Sequence, residues 1–351
     1  MWWRFRKHRL AMASGAFIIL LIIVAVFPEF IAPYDPTVRD PKYVYATLHK
    51  LHFVDRSGAR IRIYPHVYAL KMSRDPVSLA LTYTQDANEK IRLGFFVKGT
   101  PYKLFGLIPG NIHFFAPVDQ SKRFFLLGGD PTGRDVFSRL IYATRVSMSA
   151  GLLGVVLSLV LGILLGGISG YYGGAVDTVI QRTIELLRSI PAIPLWLGLA
   201  AALPPNWPPL KVYFWVTIIL ALRGWTTLAR VVRGRFLSLR EEDFVLAARL
   251  DGVSELRIIG RHMVPSFLSH IIAAVSLAIP QMILNETALS FLGLGLREPA
   301  ISWGVLLQSA QDVRTVGLAP WLLLPALAVV TVVLTFNFLG DGLRDAADPY
   351  G

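Results

Sequence analysis

The chain has 351 residues, 54% of them hydrophobic and only 17% charged, with a formal net charge of +12 and a mean hydropathy of +0.53. So low a charged fraction, with long apolar runs, argues against a soluble chain and for a polytopic membrane protein, in which a basic surplus records orientation more than nucleic-acid binding. The absence of cysteine excludes disulfides, thiolate metal sites and a cysteine nucleophile.

In chain order, MWWRFRKHR is followed by an apolar run to about Ile31 without a small-residue cleavage site, so it reads as an uncleaved first span. Six segments are long enough to cross a membrane: 11–31, 146–169, 179–203, 211–231, 266–290 and 319–340. The expected fold class is an all-α polytopic membrane protein with six transmembrane helices. The cluster Arg4, Arg6, Lys7, His8 and Arg9 places the N-terminus in the cytoplasm. Alternation then puts 34–133 outside, 232–265 inside and the C-terminus inside. The 230–265 stretch, with Arg230, Arg233, Arg235, Arg240, Arg249, Arg257 and Arg261, agrees with a cytoplasmic loop, and 204–210 has no cation.

The 34–133 segment is different in kind. ARIRIYPHVY and KIRLGFFVKGTPYKLFGL alternate with period two, broken by Ser57-Gly58, Gly99-Thr100-Pro101 and Pro109-Gly110. That pattern predicts a β-rich extracytoplasmic insert. The organisation expected is 1–33 (N-terminus and first span), 34–133 (insert), 134–345 (five-helix core) and 346–351 (tail).

Along the second span Ala150, Gly154, Ser158, Gly162, Gly166 and Gly170 recur at every fourth position, forming a groove for close helix approach. It serves either packing within the chain or a surface shared with a partner or moving gate. Arg223, Asn285, Glu286 and Asn337 are the notable polar groups inside spans, and ionisable groups there carry a functional hypothesis by default. At 1.5 Å per residue, Arg223 lies about 18 Å below the outer end of its helix and Glu286 about 6–8 Å below its own, so no direct pair is expected. Glu286 reads equally as an interfacial residue half in water or as passage lining. No HExxH, GxSxG or GxxxxGK[ST] motif occurs, so the chain has no recognisable hydrolytic or nucleotide-binding machinery of its own.

The stretch EEDFVLAARLDGVSELRIIGRHMVP (241–265) interrupts the apolar chain with two short charged helical pieces. Phe244, Ala247, Ala248 and Asp251 share one helical face, and Asp251-Gly252 reads as a left-handed stop. Ser254 can cap a second helix, and Pro265 suits the first turn of the next span. Two such helices along the membrane surface make either a rigid docking knob or a merely amphipathic interfacial loop.

AARLDGVSELRIIGRHMVP resembles the cytoplasmic coupling motif of binding-protein-dependent ABC importer permeases. Ala247, Ala248, Gly252 and Pro265 fit its spacing, while Leu246 stands for the motif's glutamate and Val264 for its leucine. GGDPTGRDVFSRLIYATRVS, GYYGGAVD, NETALSFLGLGLREPAISWG and FNFLGDGLRDAADP are similar to the dipeptide/oligopeptide branch, second permease type. The likeness covers about 1–34 and 128–350. Arg223 departs from it, standing where an apolar residue is expected.

The resemblance implies a type I ABC importer permease fold and a non-enzymatic subunit in the inner membrane of a prokaryote. It implies a companion permease, two ATP-binding cassette ATPase subunits that bind ATP and Mg, and an extracytoplasmic solute-binding protein. Coupling to the ATPases would fall to Leu246, Ala247, Ala248, Arg249, Gly252, Arg257 and Pro265. The cargo would be di- or oligopeptides, with oligosaccharides, metal chelates and opines as alternatives. Away from the resemblance, the residues also leave open an ATP-independent transporter or channel, and an anchored extracytoplasmic enzyme or sensor using the insert.

Overall fold

The computed structural model describes residues 2–55, 62–74, 76 and 81–347. The chain divides into two compact units: Met1–Ile19, Met148–Leu296 and Val329–Gly351 form one, and Leu20–Ser147 with Arg297–Ala328 form the other. The second unit is thus larger than the expected 34–133 insert, taking in the end of the first span and the 297–328 loop.

The helices in order are α1 (Trp2–Lys7), α2 (Arg9–Val26), α3 (Pro28–Ile31), α4 (Val136–Tyr172), α5 (Gly174–Ser189), α6 (Ala192–Ala201), α7 (Pro209–Leu239), α8 (Asp243–Leu250), α9 (Glu255–Arg257), α10 (Val264–Ser266), α11 (Leu268–Phe291), α12 (Trp303–Gln308), α13 (Val313–Leu318) and α14 (Leu324–Ala347). Among the described residues, four are long and apolar enough to cross a membrane, beginning at Arg9, Val136, Pro209 and Pro320, and α5 with α6 would make a fifth. The expected 266–290 span is the continuous 24-residue helix α11, which carries Pro280 inside it and lies outside that count.

The expected continuous span 179–203 is broken. Helices α5 and α6 meet at an 86° bend. Ile190 is extended at the junction (φ −83°, ψ 127°), as the residue before Pro191 must tend to be. Pro191 and Pro194 supply no N–H for the carbonyls of the preceding turn, so the helix restarts in a new direction.

In the helical unit, α4 lies along α7 and α11. Val155 of α4, Trp196 of α6, Leu220 of α7 and Met282 of α11 share one buried cluster. Ala11 and Gly15 of α2 meet Gly342 and Leu339 of α14, where small residues again bring helices together.

The other unit carries an antiparallel meander of β1 (His52–Asp55), β2 (Arg62–Arg74), β3 (Leu81–Leu104) and β4 (Ile108–Pro117), in that spatial order. The first half of β3 pairs with β2 and the second half with β4. Val67, Ile91, Leu93 and Phe124 form its buried core. Two of the three expected strand breaks lie inside strands. Gly99-Thr100-Pro101 is absorbed by a register shift between Lys98 and Tyr102, and Pro109-Gly110 sits within β4. An irregular strand places Gly and Pro where a ladder bond is missing rather than ending there. The turn is at Phe105-Gly106, with φ of 51° and 72°. Ser57-Gly58 lies outside the described residues.

Ionic contacts brace this unit. Arg134 makes a bidentate pair with Glu298 (3.0 and 2.7 Å) and bonds Asp130 through Nε (2.6 Å). Arg139, 2% exposed, bonds both Asp130 and Glu298. Burial raises the Asp130 carboxyl, but the Arg139 and Arg134 cations outweigh it and hold the group below its ordinary value. Asp135 is instead pushed up to about 6 by burial, against the opposing bonds from Ser138.

Candidate functional site

The 241–265 stretch builds a small knob on a packed base. Val245 and Ala248 of α8 point into a cluster with Tyr171, Phe236, Ile258 and Met263. This reverses part of the face expected from the sequence: Ala248 is buried, whereas Phe244, Ala247 and Asp251 are exposed. Leu246 is 43% and Leu250 89% exposed, so α8 shows solvent an apolar ridge of Phe244, Leu246, Ala247 and Leu250. An exposed ridge on a fixed pedestal is a contact surface, not core.

A two-bond cap ends α8. The Val253 N–H donates to the Ala248 carbonyl (3.1 Å) and the Gly252 N–H to the Arg249 carbonyl (3.0 Å), with Gly252 at φ 72°. This is the glycine-requiring left-handed helix end. No atom lies within 4 Å of a Cβ built on Gly252, so conformation and not crowding demands glycine within this chain.

The second helical piece departs from the expectation. Ser254 holds the N-cap position with extended backbone, but its side chain makes no capping bond. One α-turn, Glu255–Arg257, runs into a π-helical turn, Ile258–Met263, where the Val264 N–H reaches back to the Ile259 carbonyl. Pro265 lies in α10, and Phe267 (φ −128°, ψ 24°) separates it from the long helix α11, so Pro265 does not open that helix. Pro265 and Arg257 are exposed.

Arg249 stacks on Tyr171 at 4.8 Å from the ring centre and donates from Nε to its hydroxyl (3.2 Å). The Tyr172 hydroxyl donates to Glu255 (2.5 Å). Leu246, Arg249 and Glu255 line an open cleft of about 690 Å³ beside the knob with Arg240 and Val253. Arg233 of α7 makes a bidentate pair with Asp177 in the first turn of α5.

The small-residue row of α4 lies against α7 and α11 of the same chain. A Cβ on Gly154 would sit 2.9 Å from Met282, and one on Gly162 2.9 Å from Leu228. A Cβ on Gly170 would sit 2.8 Å from the Arg233 carbonyl oxygen. The Ser158 hydroxyl donates to the Ala221 carbonyl (3.4 Å).

The polar groups inside the spans are engaged separately. Arg223 donates from Nη1 to the carbonyls of Leu187 (3.3 Å) and Ile190, the last turn and end of α5 at the bend. Glu286 is 1% exposed and accepts from Ser290 Oγ (2.8 Å), so of its two readings the half-in-water one does not fit this burial. Asn285 accepts from Gln281 (2.9 Å) and is half-buried. Among the described residues, no group of three or more His, Cys, Asp or Glu side chains is placed to hold a metal ion. Nothing local in the sequence signals the contacts of Arg134 and Arg139 with Glu298, since the partners are 164 and 159 positions apart and both stretches, GGDPTGRDVFSR and GLREPAIS, read as polar, glycine- and proline-containing loops.

Residues 158–350 match the model of the binding-protein-dependent transport system inner membrane component. Residues 1–47 match that of the N-terminal TM domain of oligopeptide transport permease C. The chain is 39% identical to an oligopeptide transport system permease protein, OppC, of Haemophilus influenzae, over 68% of this chain and 74% of that one. It is 38% identical to a dipeptide transport system permease protein, DppC, of Alkalihalophilus pseudofirmus, over 63% and 71%. A DppC of Bacillus subtilis is 36% identical over 63% and 68%. The chain belongs to the family of binding-protein-dependent transport system inner membrane components.

Proposed function

We propose that this chain is the second-type permease subunit of an ATP-driven ABC importer, forming with a companion permease a passage for di- or oligopeptides. The observation that carries the coupling role is the knob itself: a rigidly capped α8 whose buried side is fixed by Val245 and Ala248 while Phe244, Leu246, Ala247 and Leu250 face outward. Two ATPase subunits would bind ATP and Mg and receive this ridge, and an extracytoplasmic binding protein would deliver the cargo. The chain itself would then be a bistable passage biased by both partners. Residues 9–26 would run outward from a cytoplasmic N-terminus in a six-span type I arrangement, with α11 and the bent α5–α6 pair completing the count. The relatives named for oligopeptide and dipeptide transport favour peptide cargo over other solutes.

The test is purification of the tagged chain from its native membrane, followed by reconstitution with the copurifying proteins. Peptide-stimulated ATP hydrolysis and peptide uptake, both lost when the ATPase subunits are omitted, are the expected result. Uptake by the permease alone would overturn the reading in favour of an ATP-independent transporter.

A further inference from the structure

The β3–β4 hairpin exposes large apolar side chains that its own unit does not cover. Phe96 is 65% and Leu107 81% exposed, and Phe95, Phe105, Ile108 and Phe114 are exposed as well. The Phe114 ring centre lies 5.6 to 6.1 Å from those of Phe30, Phe95 and Phe96, and Phe30 lies 6.0 Å from Phe96.

The backbone is strained to make this cluster. Consecutive residues of a strand point to opposite faces, so Phe95 and Phe96 should part. Phe96 instead adopts φ 53°, and both rings reach Phe114. A left-handed phenylalanine is an outlier with a steric cost, and it persists here without burying the ring. Phe105, at the turn, is another, with φ 51°.

The level of the hairpin tip is fixed by Arg145. Its guanidinium donates to the carbonyls of Ala25 and Val26 (both 2.8 Å) and pairs with Glu29 (2.6 and 2.7 Å). The same guanidinium lies 4.7 Å from the centre of the Phe105 ring. The tip is therefore held where α2 ends. Ile22 and Ile23 of that helix and Phe27 just after it are exposed, so the span's apolar surface runs up to Phe30 and on into the hairpin cluster. Lys98 and Lys103 are exposed on β3.

We propose that the aromatic face and tip of the β3–β4 hairpin seat in the outer interface of the lipid bilayer, anchoring the insert to lipid beside the first span. This rests on α2 crossing the membrane with residues 28–133 on its outer side.

The chain has no cysteine, so single nitroxide labels can be placed in the full transporter, reconstituted in phosphatidylcholine–phosphatidylglycerol vesicles. Leu107→Cys and Phe96→Cys report the hairpin, and Gln85→Cys, exposed and roughly 60 Å along the strand from the tip at 3.3 Å per residue, serves as control. Expected is a several-fold higher ratio of oxygen to water-soluble nickel-complex accessibility at 107 and 96 than at 85. Equal ratios at the three positions would place the hairpin in water and overturn the proposal. Shielding of 107 and 96 from both reagents would overturn it in favour of a protein partner such as the companion permease. An impermeant thiol reagent that fails to reach Gln85→Cys from outside would overturn the premise, whether or not the vesicles transport peptide.

Discussion

Gly166 of α4 and Ala229 of α7 meet at backbone distance: a Cβ on Gly166 would lie 2.8 Å from the Ala229 Cα and run into its carbonyl oxygen. Neither side can yield by a rotamer change, because the atoms met are main chain. Gly166→Leu is therefore expected to separate α4 from α7 and cost at least about 1–3 kcal/mol, the range for overpacked cores. Gly162→Leu meets Leu228 instead, at 2.9 Å from its Cβ and Cδ2; the outer atoms can turn away but the Cβ cannot, so it should be milder than Gly166→Leu, though not neutral. Gly234→Ala enters open space and is the control. Thermal unfolding of the three purified variants checks the order; a Gly166→Leu chain as stable as wild type would mean that α4 and α7 are not in contact.

Much of this packing was legible, and the reason is local. A small residue at every fourth position marks a groove whatever fills it, and Asp251-Gly252 announces a left-handed helix end. What filled the groove was not legible, since Ala229 lies 63 positions from Gly166 and nothing in α7 advertises it. Pro191 and Pro194 were visible as helix disturbances, but proline inside a span is compatible with a kink or a full break. The 86° turn depends on how the freed carbonyls are satisfied, and that needs Arg223, more than thirty positions away. The strand breaks misled because glycine and proline mark bulges as readily as turns.

Arg223 answers the carbonyls of Leu187 and Ile190, so a cation sits at the C-terminal end of α5, where the helix dipole favours it. Charge-assisted bonds of this kind contribute about 1.5–3 kcal/mol each way of counting. Arg223→Leu should destabilise the bend by an amount of that order and reduce transport, although it restores the apolar residue the family resemblance leads one to expect. Arg223→Lys should retain part of both, having one ammonium to offer. Uptake and unfolding temperature equal to wild type in Arg223→Leu would show that the bend holds without the arginine.

The ionic contacts around Asp130, Asp135 and Glu298 give opposing pH responses. Asp130 and Glu298 are held below their ordinary values, so their contribution is present above the unfolded carboxylate range and lost as pH falls through the lower folded values. Asp135 has the opposite sign. Its folded value of about 6 exceeds the ordinary 3.8, so its contribution is complete below about 4 and lost as pH rises through 6. Asp135→Asn should remove the loss of stability between pH 4 and 6 while keeping an acceptor for Ser138, which now donates to Oδ2 from its N–H (2.8 Å) and hydroxyl (2.6 Å). Glu298→Gln should instead weaken the unit at neutral pH by unbalancing Arg134 and Arg139. Melting curves from pH 4 to 8 on the full chain separate the two; an unchanged slope in Asp135→Asn would refute the assignment.

The knob supplies the sharpest pair of variants. Gly252 adopts φ 72° with open space around its Cβ position, so a valine there meets no neighbour in this chain but must hold a left-handed backbone, at about 1–2 kcal/mol. The Schellman bonds from Gly252 and Val253 would loosen and α8 would lose its fixed angle, while the buried Val245 and Ala248 keep the chain folded. Gly252→Val should therefore yield an inserted permease that binds the ATPases weakly. Leu246→Asp tests the ridge rather than its cap. The motif's glutamate is absent, and Arg249 is already turned onto Tyr171 in this chain, so the outward face of α8 is apolar where Leu246 sits. A carboxylate at 246 would interrupt that ridge and impair coupling, despite moving the sequence toward the motif's charge. Peptide-stimulated ATPase activity of the reconstituted complex reads both, with ATPase copurification as the binding measure. Wild-type values for the two variants together would mean that the ATPases are engaged elsewhere on the cytoplasmic face.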